Sequence, residues 1–176
     1  MVVSGLPGSG KTTLGRRLAR ALGLPLIDKD EILDRLFETK GVGDSVWRRA
    51  LSRESDAILQ RDAGSSNGAV LVSFWRQPGM PEDSGTPTDW ITALSAHLIN
   101  IHCVCSPEEA AARFVLRARH PGHLDRGASD AEVLASLREL ASLRSIDVGH
   151  RIDVDTSQEP ELDEIVSAVR ARLDGA

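Results

Sequence analysis

The chain has 176 residues, 41% of them hydrophobic, and a formal net charge of -5 from 21 basic and 26 acidic side chains. That length suits one ordinary domain, residues 1–176, with a core that needs no disulfide or metal staple. The acidic balance argues against a broad nucleic-acid footprint, which is normally basic, and no apolar run approaches the roughly 20 residues that span a bilayer. The opening MVVSG lacks the basic and long apolar regions of a secretory signal. A cytoplasmic protein is expected, with monomer and homodimer both open. Met1 stands unusually close to the first glycine, Gly5, which leaves room for a segment upstream.

Short apolar runs alternate with amphipathic stretches, the pattern of a parallel sheet wrapped by helices. Residues 1–4 read as a buried strand, and a helix from Lys11 carries Leu14, Leu18 and Leu22 on one side and ends at Gly23. Residues 24–27 form the second strand and 31–37 a helix with Ile32, Leu33 and Leu36 inward, leaving Asp28 and Asp30 in the joint. A helix over 46–61 turns Trp47, Leu51 and Ile58 inward, and 69–74 is the third strand. The Pro- and Gly-rich stretch 77–88 reads as a binding or mobile loop, and 89–96 as a short helix. Residues 98–105 make the fourth strand, with Cys103 and Cys105 on one face as buried thiols. Ser106, Pro107 and Glu109 supply an N-cap, an N1 proline and a capping-box acid for a helix to about Arg117. RARHPGHLDRG then breaks periodicity and reads as a hinged lid over 117–128, with His120 and His123 as surface histidines. Ser129 and Glu132 cap a helix bearing Val133, Leu137 and Leu140; 151–154 is the fifth strand, and 160–173 a last helix with Leu162, Ile165, Val166 and Val169 on one face.

The segment GLPGSGKTT satisfies G-x-x-x-x-G-K-[ST] between an expected strand and an expected helix. Gly5, Gly8 and Gly10 let the backbone amides approach phosphate oxygens, and the helix adds its positive dipole end. The expected nucleotide-binding set is Gly5, Pro7, Gly8, Ser9, Gly10, Lys11, Thr12 and Thr13. Lys11 reaches the β and γ oxygens and the Thr12 hydroxyl ligates Mg²⁺. The fold that follows is an α/β, three-layer P-loop NTPase fold with a five-stranded parallel sheet flanked by helices and an arginine-bearing lid.

Other P-loop chemistries lack their parts. The third strand ends Leu71, Val72, Ser73, Phe74 without a Walker-B carboxylate, and no N-K-x-D guanine-reading motif occurs. Asp28 and Asp30 do fall at the ligand edge of a doubly wound sheet. Asp28 takes the metal-side role, and Asp30 the base that aligns an attacking hydroxyl with the γ-phosphate; both also suit helix caps.

GLPGSGKTTLGRRLARALGLPLIDKDEIL resembles the start of the P-loop small-molecule kinases, the group that includes the shikimate kinase, gluconate kinase, chloramphenicol phosphotransferase and polynucleotide kinase families. The likeness is specific over about the first 37 residues and one of layout beyond. It implies an ATP-dependent kinase with Mg²⁺, acting on a hydroxyl of a small molecule, a metabolite or an antibiotic. It also implies that Asp30 contacts the acceptor and that lid arginines close over the phosphates. Arg113, Arg117, Arg119 and Arg126 fall there, and Arg117 and Arg119 are the favoured pair. Trp75 and Arg76 follow the third strand and are expected to face an anionic or sugar-like acceptor. The loop after the last strand, around Asp153 to Ser157, is where such kinases wrap the adenine. Two other readings stay open: a polynucleotide or nucleoside 5′-hydroxyl kinase, suggested by the Lys29, Asp30 step, and a nucleotide-binding regulatory module with little turnover.

Overall fold

The computed structural model describes residues 1–95, 97–124 and 128–174. Five parallel strands form one sheet in the order β2-β3-β1-β4-β5: β1 Val2–Gly5, β2 Leu26–Asp28, β3 Val70–Val72, β4 Ile99–Val104 and β5 His150–Asp155. Between them run α1 Lys11–Leu22, α2 Lys29–Lys40, α3 Ser45–Gly64, α4 Pro107–Leu116 and α5 Asp130–Ser142, with α6 Leu162–Asp174 last. From β1 the chain crosses to β2 on one side, and from β3 to β4 on the other. Adjacent connections therefore diverge at the carboxyl ends of β1 and β3 and leave a crevice there.

The period-2 alternation of strands sets the layers. On one face Val3, Val70, Val72, Ile99, Ile101 and Val154 pack against Leu14 and Leu18 of α1 and Ile165, Val166 and Val169 of α6. On the other, Val2 and Leu71 meet Ile32, Leu33 and Phe37 of α2 and Leu51 and Leu59 of α3. Ala110, Ala111 and Leu137 join α4 to α5 in a satellite cluster. Both capping boxes form as the sequence leads one to expect, Ser106 with Glu109 and Ser129 with Glu132.

Three local expectations change. Trp47 stays 39% exposed: it lies in the first turn of α3, where Asp44 caps Val46 and Trp47 amides, and its indole N–H donates to Gly41 O at 3.1 Å. The expected helix over 89–96 reduces to one 3₁₀ turn, Ile91–Ala93, with position 96 outside the described residues. The third strand stops at Val72 because the chain beyond pairs with its own returning loop: Thr86 N–H donates to Phe74 O and Arg76 N–H to Thr86 O.

Candidate active site

The loop from Gly5 to Gly10 leaves β1 at the crevice and enters α1. Gly5, Gly8 and Gly10 all have positive φ, and a Cβ on Gly8 would lie 2.1 Å from Ala110 O, so no side chain fits there. Gly10 gives α1 no side-chain cap, so its first-turn amides lack the partner a Ser or Asp would bring. Lys11 folds over the loop and donates from Nζ to Gly5 O at 2.9 Å and Leu6 O at 2.7 Å. Burial pushes its pKa down to about 8, against the pull of Asp30 and Asp28. Pro7 lies in the loop's turn, Ser9 is fully buried, and Thr13 is exposed at the head of α1.

The carboxylates sit where β2 becomes α2. Asp28 is buried and accepts the Thr12 hydroxyl on Oδ2 at 2.9 Å and the Asp30 amide on Oδ1 at 2.9 Å, so one side chain serves as cap and partner of the P-loop threonine. Burial, then the neighbouring charge of Asp30, raises its pKa to about 6. Asp30 has different partners. Its Oδ2 accepts from Arg119 Nη2 at 2.8 Å and from Arg117 Nη2 at 3.1 Å. Burial raises its pKa, but the charges of Arg119, His123, Arg117 and Lys11 outweigh that and the net shift is downward.

The arginines arrive on a segment that docks along one face of α2. Asp30, Asp34 and Phe37 stand at i, i+4 and i+7. Asp34 Oδ1 lies 2.6 Å from His123 Nε2, and Phe37 stacks on His120 and takes His123 edge-on. Gly122 passes so close to Phe37 that a Cβ would fall 2.5 Å from the ring. Arg48 Nε donates to His123 O at 2.8 Å and ties in α3. His123 is therefore buried, against the expected surface position. In this structure Arg117 and Arg119 rest on Asp30, and Arg126 lies outside the described residues.

Trp75 corrects the sequence reading. It is 3% exposed and donates its indole N–H to Val3 O at 2.8 Å, so its ring fills core volume and offers no open face for stacking on an acceptor. Arg76 is half-buried and braces the following loop through Nε to Ser84 O at 3.0 Å. Arg113 belongs to α4 and clamps the loop after β5, donating to Thr156 O and Ser157 O at 2.8 Å each. Cys103 is buried, which drives its thiol up to about 12, while Cys105 is half-buried. The docked face of α2 was missed from sequence, although its i, i+4, i+7 spacing opposite an Arg-x-Arg-His-x-x-His run was the available signal.

A glycine cradle, a P-loop lysine and a paired threonine and aspartate at the switch point define a nucleotide-binding P-loop protein. The AAA domain family model matches residues 1–143, and the chain belongs to that family. It is 44% identical over 73 residues to a shikimate kinase of Corynebacterium glutamicum, covering 41% of this chain and 43% of that one. With a shikimate kinase of Corynebacterium jeikeium it shares 43% over 72 residues, 40% and 39% of the two chains. The chain thus spans less than half the length of these curated relatives. Among solved structures, a putative kinase from Chloroflexus aurantiacus superposes with TM-score 0.78 at 26% identity over 97% of each chain. The shikimate kinase of Bacteroides thetaiotaomicron superposes at 0.62 and 19% identity, over 98% of this chain and 97% of that one, which speaks to the fold. Among the described residues no helix is long and apolar enough to cross a membrane.

Proposed function

We propose that the protein is an ATP-dependent kinase that transfers the γ-phosphoryl group to a hydroxyl of a small molecule. The observation that carries this is the placement of Asp30, within the electrostatic reach of the P-loop lysine and under two arginines, while Asp28 is engaged by Thr12. Nucleotide binding alone does not require that second carboxylate.

The residues fit Mg²⁺-ATP. The loop amides and the α1 N-terminus suit the phosphates, and the absence of any Cβ on Gly8 lets the loop take this shape against Ala110 O of α4. Thr12 Oγ1 and Asp28 Oδ2, 2.9 Å apart, are hard oxygen donors, and no group of three or more His, Cys, Asp or Glu forms a cage among the described residues. Mg²⁺ fits such a site, since it commonly takes one or two protein oxygens and completes its shell with phosphate and water. When bound it would neutralise charge on the transferring group. Lys11 would hold the β and γ oxygens of the bound nucleotide. Asp30, kept ionised by its arginines, orients the acceptor hydroxyl and takes its proton late in a loose transition state. Arg117 and Arg119 stabilise phosphoryl charge and exclude water.

Asp30→Asn tests the assignment, because Asp28 supplies the helix cap and the fold should hold. ATP affinity should stay nearly intact while transfer falls by about 10²–10⁴-fold. Unchanged transfer removes Asp30 from the base role.

A further inference from the structure

Between the two carboxylates of the site stands a lysine that faces neither. Lys29 places Nζ 2.6 Å from Asp56 Oδ1 of α3, with side chains 11% and 21% exposed. The same oxygen accepts the Thr86 hydroxyl at 2.9 Å. Thr86 Oγ1 lies 2.5 Å from Ser73 Oγ, and since the threonine proton goes to Asp56, the serine is the donor. Ser73 follows β3 at the crevice and Thr86 closes the stem of the 77–85 excursion, both buried. One chain of polar contacts thus joins α2, α3, the end of β3 and the loop beside it.

This arrangement is a poor way to gain stability. Burial lowers the Lys29 pKa even with Asp56 beside it, which marks the desolvation the pair has to offset. Lys29 also occupies the first position of α2, where the helix dipole disfavours a cation, and its long stem is fixed in one geometry. Apolar side chains of like volume would pack such a site at least as well. The polar chain does provide direction. It fixes the residue between Asp28 and Asp30, which bind Thr12 and the two arginines respectively, and ties it to the wall formed by residues 73–86.

We infer that Lys29 and Asp56 are positioning residues for phosphoryl transfer, holding the Asp28–Asp30 pair in register with the acceptor-side loop through Thr86 and Ser73. The inference rests on the kinase reading above. Neither residue touches substrate; both act through the carboxylates.

The test uses the full chain with ATP and the best acceptor from a panel of shikimate, D-gluconate, nucleosides and hydroxylated antibiotics. Lys29→Met/Asp56→Leu removes both charges and puts apolar side chains of similar length in their place. Its melting temperature should stay close to that of the wild type, loss of the buried ion pair offsetting loss of the Thr86 acceptor, and its affinity for a fluorescent ATP analogue should stay within about threefold, while kcat falls about 10–100-fold, the scale of a small misplacement. Lys29→Arg, which keeps the ion pair, should retain most of kcat. Wild-type kcat in the double variant, or losses of kcat, melting temperature and nucleotide affinity in parallel, would overturn the inference. Should the double variant not fold, Thr86→Val decides: it cuts only the link to the loop and should raise the acceptor KM several-fold with the KM for ATP unmoved, and no change in acceptor KM defeats the proposal. Transfer by the wild type with no loss in the variants removes this inference alone; no transfer by the wild type to any acceptor removes the kinase reading and this inference with it.

Discussion

Asp28 shows what a buried carboxyl costs the fold. Its carboxyl is raised from 3.8 to about 6, chiefly by burial and then by Asp30. A carboxyl raised on folding means that the native state holds its proton longer than the unfolded chain. The sign follows: stability is fullest below pH 3.8 and declines as pH rises through about 6, by up to about 3 kcal/mol. Asparagine keeps the cap, since its amide oxygen accepts from the residue-30 N–H as well as a carboxylate does. Asp28→Asn should therefore stabilise the nucleotide-free protein by about 1–3 kcal/mol at pH 7.5, with the gain vanishing toward pH 4, while Mg²⁺-dependent transfer collapses. Denaturant melts at the two pH values check this. Loss of stability at pH 7.5, or an equal gain at pH 4, would contradict the assignment of the shift to this carboxyl.

At the scale of elements, α2 carries the site. Its N-terminus places the two aspartates, its inner face packs Ile32, Leu33 and Leu36 into the core, and Asp30, Asp34 and the edge residue Phe37 receive the arginine-bearing segment. Gly122 lies over Phe37, where a methyl group would meet ring carbons at 2.5 Å to 2.7 Å. Gly122→Ala should lift the segment off the helix, at about 1–3 kcal/mol, and withdraw Arg119 from Asp30. Hydrogen exchange should then rise over 117–124 and at the start of α2, with the sheet unaffected. Exchange unchanged in those two places would mean that the docking does not depend on this contact. A pairing of this kind is difficult to read in a sequence, because it depends on where a non-helical stretch lands 89 positions away, whereas the capping boxes are local and were legible.

Across the whole molecule, the parts legible in the sequence are those written over short distances. The glycine loop, the helix from Lys11 to Gly23, the strand-helix alternation and the Asp28–Asp30 joint all follow from spacing or from residue chemistry within a few positions. Trp75 was misread because its place after β3 fits both a ligand edge and a core position; the Val3 carbonyl that decides between them lies in another strand. The Lys29–Asp56–Thr86–Ser73 chain was invisible for the same reason, its members being up to 57 residues apart without any periodic signature. The proposed activity requires the cradle and Asp30 to act together on one acceptor. The direct measurement is ADP release by the wild-type protein with Mg²⁺-ATP against a panel of hydroxylated metabolites, nucleosides and antibiotics, with product mass determined for each. One acceptor should raise ADP release well above the acceptor-free rate and gain one phosphoryl group per ADP formed. ADP release that no acceptor alters, with no phosphorylated product, would contradict the account.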